Sequence, residues 1–435
     1  MRLLWLFGLL ACDPSQVNTD EGGEPDGPAN DDVWDDRYVP VYHLTIDDAH
    51  WEDTLWSLHE SDSCEERAYL PATLTYDNPK TGETEQYDNV AVRYRGQSAL
   101  DPASGNRYGL KVTFNEYDPA LDFHRLHNIN FMGTEGDFSL MRERLVQGVM
   151  REAGVPAPRV THVRLFINDE FYGVMPFPEE QDDDPYLDAH FDDNNGDLYK
   201  INGYCEGTGD FEYDGDDADQ YSGKYEAKAD TLPESYATHL IPFLDCVDDY
   251  TPDAYPTDSD VAMETCVDDW IDVDEWLAEI AVDVAVLDVD GMQGTGQNFM
   301  LYWDPSVAKF IAYPWDKDSV FRANNAVSPG NDSIWQTFPY WSADNGNTPP
   351  AFPEDLRKLY AADYCAKVLE VAELTSTENL GSTLETLRIL LDGFILDDTL
   401  YGDEHNWAYE VDDLLSEIDA RNAQIIDEAR DCNPP

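Results

Sequence analysis

The stretch 287–321, LDVDGMQGTGQNFMLYWDPSVAKFIAYPWDKDSVF, restricts the possible fold more than any other part of the chain. A glycine-rich bend follows Asp290, Asn298 opens an apolar run, a short turn reverses the chain, and a second apolar run ends at Asp316. Short apolar runs bounded by turn residues read as buried strands. Paired antiparallel, they place Asn298, which begins the outgoing strand, and Asp316, which finishes the returning one, at the same end of a hairpin. Asp318 follows two residues later, and Lys317 between the two aspartates is expected to face solvent.

The flanking sequence mixes both periodicities. VPVYHLTI reads as a strand and DDAHWEDTLWSLHE as a helix capped by Asp47 or Asp48. AYLPATLTYD and QYDNVAVRYRG form a hairpin pattern, and YGLKVTFNEY alternates as a further strand. DFSLMRERLVQGVMREAGV has a helical apolar face through Leu140, Leu145, Val149 and Met150, with Gly154 at its stop, and HVRLFINDEFYGVMPF gives two strands around Asn168-Asp169. The segment from about Asp182 to Asp260 is acidic and reads as loop-rich, DEWLAEIAVDVAVLDVDG as a helix, and the chain from Pro353 onward as mostly helical. No internal repeat interrupts this pattern. Residues 38–435 are therefore expected to form one α+β domain, helical over 353–435.

Charge narrows the partners. Against 26 basic residues stand 91 acidic ones, a net charge of −65. Long-range repulsion opposes nucleic-acid backbones and anionic membrane surfaces, and favours cations and basic peptides. The opening MRLLWLFGLLAC is too short to span a bilayer and suits a secretory leader. Its Leu9-Leu10-Ala11-Cys12 resembles a bacterial lipobox, so residues 1–12 are expected to be a lipoprotein signal with Cys12 lipidated, and the acidic residues 13–37 a flexible tether. Membrane contact is then expected through the lipid anchor alone. Six cysteines remain, Cys64, Cys205, Cys246, Cys266, Cys365 and Cys432, an even number consistent with disulfides in an exported chain. Cys246 with Cys266 and Cys365 with Cys432 are the preferred pairs, since each would staple a local excursion.

Common hydrolytic and phosphate-loop signatures are missing: there is no HExxH, GxSxG or Walker A sequence. His124 and His127 are a weak ligand pair. The acidic loops FEYDGDDADQY and FDDNNGD offer oxygen ligands for Ca²⁺ without EF-hand spacing. The hairpin end is the stronger constellation. Aspartates and an asparagine converging there make a hard-oxygen site suited to Mg²⁺ or Mn²⁺, the kind that phosphoryl transfer requires. The competing reading of Asp316 and Asp318 is solvated charge at a strand end.

The segments VRYRGQSA, YGLKVTF, DFSLMRERLVQGVMREAGVPAPRVTHVRLFINDEFYGV, GDLYK, DGMQGTGQNFMLYWD and FIAYPWDKDSVF, followed by a final helix containing Arg421, resemble the CotH kinase family, the spore-coat protein H-like atypical protein kinases. The resemblance runs from about Val39 to the C-terminus. It implies an atypical protein-kinase-like fold with mixed or antiparallel sheets and a helical C-terminal part, binding ATP with Mg²⁺ or Mn²⁺ and phosphorylating Ser/Thr. By position it makes Asp290 the catalytic carboxylate and Asn298, Asp316 and Asp318 metal ligands. Candidate nucleotide contacts are Arg95, Lys111, Arg142 and Lys200, with Arg107 standing where the family often has a basic residue and Glu179 or Glu180 available to pair with a lysine. One departure is visible: seven residues, Gly291 to Gln297, separate Asp290 from Asn298 where the family has four, which leaves Asp288 as an alternative to Asp290. The expectation is an exported, lipid-anchored kinase of the bacterial cell envelope acting on Lys/Arg-rich proteins, with no nucleic-acid partner. Its rivals are a non-catalytic surface or assembly protein on the same fold and a calcium-dependent surface module.

Overall fold

The computed structural model describes residues 33–61, 68–96, 107–134, 137–201, 203, 207–248, 258–322, 334–335, 350–401, 406–430 and 432. The expected leader, Cys12, most of the expected tether, Cys64 and Cys205 lie outside the described residues. Two sheets organise the rest. The larger comprises β1 (Val41–Ile46), β2 (Leu70–Asp77), β3 (Thr84–Tyr94), β4 (Leu110–Thr113), β5 (Asn128–Phe131), β6 (Val160–Ile167) and β7 (Glu170–Pro178), ordered β5-β4-β3-β2-β1-β6-β7. β1 and β6 pair in parallel and the remaining neighbours are antiparallel. The β6–β7 turn uses Asn168 and Asp169 at φ 50° and 67°, the left-handed pair that a two-residue hairpin turn requires. Along β7 the side chains alternate between two cores: Met175 and Phe177 enter the aromatic core of the sheet, and Val174 faces the helices. Trp34 packs against Phe177 with ring centroids 5.2 Å apart, and Val33 and Trp34 are buried, so the folded part includes residues expected to belong to the tether.

The smaller sheet, ordered β11-β10-β8-β9 and antiparallel throughout, contains β8 (Asp197–Ile201), β9 (Glu226–Lys228), β10 (Phe299–Asp304) and β11 (Lys309–Pro314). The helices are α1 (Trp51–Ser61), α2 (Arg142–Glu152), α3 (Asp184–His190), α4 (Ile241–Val247), α5 (Asp258–Trp270), α6 (Val273–Val286), α7 (Ala351–Leu359), α8 (Ala361–Leu374), α9 (Leu380–Ile395) and α10 (Trp407–Arg430). Asp48 supports the start of α1, accepting from the His50 N–H at 2.8 Å and the Thr54 hydroxyl at 2.7 Å. The segment read as loop-rich, 182–260, differs from expectation: it holds α3, β8, β9, α4 and the start of α5. Its strands were illegible because Asp197–Ile201 and Glu226–Lys228 are short and interrupted by charge. They exist through pairing with β10 and with each other.

α6 carries the site. Asp272 caps it by accepting from the N–H groups of Asp274 (3.1 Å) and Glu275 (3.3 Å). At its other end Leu287 turns left-handed, φ 56°, and the Arg421 guanidinium of α10 donates to the carbonyls of Val284 (2.6 Å) and Ala285 (3.3 Å). A buried cation thus satisfies the last carbonyls and meets the negative end of the helix dipole. Both preferred disulfides are present: Cys246–Cys266 joins α4 to α5, and Cys365–Cys432 ties α8 to the residue range following α10. The second closes a separation of 67 residues, so Cys365→Ser with Cys432→Ser is expected to lower unfolding stability by about 2–4 kcal/mol in urea titration.

Candidate functional site

β10 and β11 pair as the apolar pattern demands, with Phe299 opposite Pro314, and the Trp315 N–H donates to the Asn298 carbonyl at 3.1 Å. Asn298 and Asp316 therefore share one end of the hairpin. Both are left-handed, φ 57° and 58°, so the chain turns sharply as it enters and leaves the sheet. The seven-residue loop does not separate Asp290 from Asn298. Its three N–H groups of Gly294, Thr295 and Gly296 fold back on the Gly291 carbonyl at 3.1–3.2 Å. Asp290 then lies against Asn298, whose Nδ2 donates to the Asp290 carbonyl at 3.0 Å and to Oδ2 at 3.1 Å; Gln297 and Thr295 reach Oδ1. Gly291 is demanded by crowding, because a Cβ there would collide with the Asp288 carboxylate and the Lys317 ammonium.

Lys317 corrects the expectation of a solvent-facing residue. It is fully buried, with Nζ 2.9 Å from Asp283 and also bonded to Asp288. Asp288, the alternative to Asp290, is thus committed to Lys317 and accepts from the Asp290 N–H at 3.1 Å. Glu143 of α2 accepts from the Lys317 backbone N–H and from Gln147 at 3.0 Å, tying α2 to the aspartate pair. With Lys317 turned inward, the carboxylate of Asp316 has no ion pair or hydrogen bond among the described residues.

The electrostatics follow from that geometry. Burial first, then the charges of Asp288 and Asp316, push the Asp290 carboxyl up to about 7. Burial and then Asp316 push Glu143 up to about 7, and the same two causes raise Asp318 well above the usual range. The carboxyls of Asp290, Glu143 and Asp318 are thus all displaced upward in the neighbourhood of Asp316. The donor set fits a divalent cation: hard oxygens, surplus negative charge, half-buried Asp316 and Asp318, and an Asn298 amide oxygen with no protein partner among the described residues. Among the described residues no three His, Cys, Asp or Glu side chains come together as a metal-holding group, so the fit rests on Asp316, Asp318 and the Asn298 amide oxygen.

The basic candidates divide. Lys111 of β4 pairs with Glu180 at 2.8 Å, the lysine–glutamate pairing anticipated with Glu179 or Glu180 as partner; Glu179 instead holds Arg159 and His190. Lys200 of β8 lies 3.4 Å from Asp182 and 4.5 Å over the Trp315 ring. Arg95 extends beyond β3, half-buried, close enough to Glu143 to counter the rise of its carboxyl. Arg142 is engaged in ion pairs with Glu417 of α10 at 2.8 Å and with Asp137 at 3.7 Å, and Arg107 is bound to Asp398 and the Val174 carbonyl. In the acidic loops the carboxylates serve local turns and lysine: Asp210 and Asp214 hold Lys224, Asp217 caps a short helical turn, and Asp193 accepts from Asn195. His124 contacts Glu85, and His127 contacts Asp183.

Sequence reading missed Glu143 and the acidic row Glu275, Glu279 and Asp283, which recurs every fourth residue along α6. The available signal was charge on an otherwise apolar helical stripe. Glu279 is fully buried with neither carboxyl oxygen hydrogen-bonded, and burial, then Asp283, raises its pKa well above the usual value. Native Glu279 keeps a proton that the unfolded chain releases, so its contribution is complete below the unfolded pKa and lost as pH rises through the folded one. Glu279→Gln is therefore expected to match the parent melting temperature near pH 4 and exceed it at pH 8, measured by calorimetry.

The α+β chain thus carries an Asp–Asn–Asp end on a buried hairpin and, on β4, a lysine–glutamate pair. The chain belongs to the CotH family: residues 92–422 match the profile described as CotH kinase protein. It is also similar to Invasin CotH3 of Rhizopus delemar, 23% identical over 320 residues, covering 71% of this chain and 49% of that protein, so the chain spans about half the relative's length.

Proposed function

We propose that the chain is an exported, metal-dependent protein kinase that moves the terminal phosphate of ATP to Ser/Thr hydroxyls of Lys/Arg-rich proteins, on a diverged kinase-like fold. The observation that carries this reading is the contact between Asp290 and Asn298 at the hairpin end where Asp316 stands unpartnered. Asp316 and Asn298, with Asp318 behind them, would hold Mg²⁺ or Mn²⁺. When bound, the ion neutralises phosphate charge. Asp290, held near 7 by burial and its acidic neighbours, is poised to take the hydroxyl proton at neutral pH, and Gln297 and Asn298 fix its orientation. Lys111, steadied by Glu180, supplies a fixed positive charge for phosphate. The net charge of −65 favours basic substrates by attraction at long range. Disulfides support export, and among the described residues no helix is long and apolar enough to cross a membrane; the anchor at Cys12 is part of this reading.

The test is incubation of the purified chain with labelled ATP, Mg²⁺ or Mn²⁺, and a basic Ser-rich protein. Incorporation that requires the metal is expected. The second reading, a binding protein that keeps the fold without catalysis, draws support from the relative's name, invasin. Absence of both transfer and nucleotide-induced thermal stabilisation would favour it.

A further inference from the structure

A cavity of about 260 Å³ lies where the loop before β9 meets α4. Ala237, Ile241 and Pro242 give it an apolar part, while Tyr213, Asp216 and Asp245 supply one aromatic ring and two carboxylates. These groups are held in place by the protein itself. The Tyr213 hydroxyl donates to Asp216 Oδ1 at 2.7 Å. That bond first, with the charge of Asp245 acting in the same direction, pushes the phenol up to about 12, so it stays a donor at neutral pH. Buried Tyr221 pins the loop, its hydroxyl accepting from the Asp214 N–H at 2.7 Å and donating to the Gly215 carbonyl at 2.8 Å. On the α4 side, Cys246 follows Asp245 and is tied to α5 by its disulfide.

The two carboxylates have no counter-charge. Lys224, the lysine of this loop, is bonded to Asp210 and to Asp214 at 2.8 Å. Among the described residues no Lys, Arg or His forms an ion pair with Asp216 or Asp245. An apolar part for methylenes, a ring for a planar cation and two carboxylates beside that ring match what a guanidinium side chain needs. The same loop leads back to the hairpin end. The Gly209 N–H donates to the Gly296 carbonyl at 2.8 Å, within the loop between Asp290 and Asn298. Buried Phe211 stacks on Phe299, the residue after Asn298, with ring centroids 5.8 Å apart. Tyr213 comes two residues later, so its Cα stands no more than about 14 Å from that of Gly209.

We propose that this cavity is a docking pocket for an arginine side chain of the partner protein, with Asp216 and Asp245 as its specificity-determining residues. An arginine held here would lie along the apolar part, cover the Tyr213 ring and tether the partner chain within reach of the hairpin end. This deepens the phosphotransfer reading above, on which the class of partner rests.

Fluorescence anisotropy without ATP tests it, using labelled peptides that carry one serine and a single arginine at successive distances from it, each compared with a counterpart in which glutamine replaces the arginine. At one spacing or more, the parent chain should bind the arginine peptide about fivefold or more tightly than its counterpart. Asp216→Asn combined with Asp245→Asn should bring that ratio within about twofold. Both positions are exposed, so the double variant should keep the parent's melting temperature. Glu378→Gln removes an exposed carboxylate between α8 and α9 and should leave the ratio unchanged. A ratio that survives in the double variant, or that falls equally in Glu378→Gln, reports attraction by net charge alone and overturns the pocket. A parent with no arginine preference at any spacing overturns it too. Phosphate transfer is decided separately: a parent that binds arginine through Asp216 and Asp245 yet transfers no phosphate to these peptides overturns the phosphotransfer reading and leaves the pocket standing.

Discussion

Replacing Asp316 by Asn is expected to reduce phosphate transfer by about a hundredfold to a thousandfold or more, while making the metal-free protein more stable at neutral and alkaline pH. Asn is the informative choice because position 316 is left-handed, φ 58°, a conformation asparagine tolerates better than other side chains. The transfer loss follows from removing a carboxylate at the hairpin end that has no ion pair or hydrogen bond among the described residues. The stability gain follows from the same fact. Asp316 contributes to the upward displacement of Asp290, Glu143 and Asp318. A carboxyl raised in the folded state holds its proton longer than in the unfolded chain. Its stability contribution is therefore full below the unfolded pKa near 4 and lost as pH rises through about 7. Removing the Asp316 charge lets these groups ionise more easily in place, so the decline in melting temperature between pH 5 and 8 should flatten. Added Mg²⁺ should stabilise the parent chain and have little effect on the variant. Loss of transfer with a lower melting temperature would instead mark Asp316 as a structural residue.

The second large effect lies one residue on. Lys317→Met is expected to destabilise the chain by about 3–5 kcal/mol, because it leaves Asp283 and Asp288 buried without their cation. The burial is complete for Lys317 and Asp283. Adding Asp283→Leu to Lys317→Met should recover part of the loss, since one of the two stranded charges is then gone; urea unfolding of both variants measures it. The single variant should also recover on acidification. Its stranded carboxyls keep their protons as pH falls, which removes the buried charge. A Lys317→Met chain as stable as its parent would show that the ion pairs contribute nothing beyond hydrophobic packing of the same volume.

The hairpin was legible because two apolar runs joined by a short turn leave few alternatives to antiparallel pairing, and pairing alone puts Asn298 beside Asp316. The disulfides, the cap of α1 and the Asn168-Asp169 turn were legible for similarly local reasons. Lys317 was not. Its direction is decided by Asp283 and Asp288, one on a helix and one in the loop after it, and no local pattern announces that a lysine between two aspartates will turn inward. The long loop after Asp290 misled in the opposite sense: seven residues suggested displacement, yet the Gly291 carbonyl gathers three N–H groups and the excess folds away. β8 and β9 remained hidden because strands that exist through their neighbours carry little apolar alternation of their own.

The most direct measurement is anomalous diffraction from crystals grown with Mn²⁺ and a non-hydrolysable ATP analogue. A manganese peak is expected at coordination distance from the Asp316 carboxylate and the Asn298 amide oxygen, with the terminal phosphate toward Asp290. Manganese confined to the surface loops around Asp193 or Asp214, with no nucleotide at the hairpin end, would contradict the assignment.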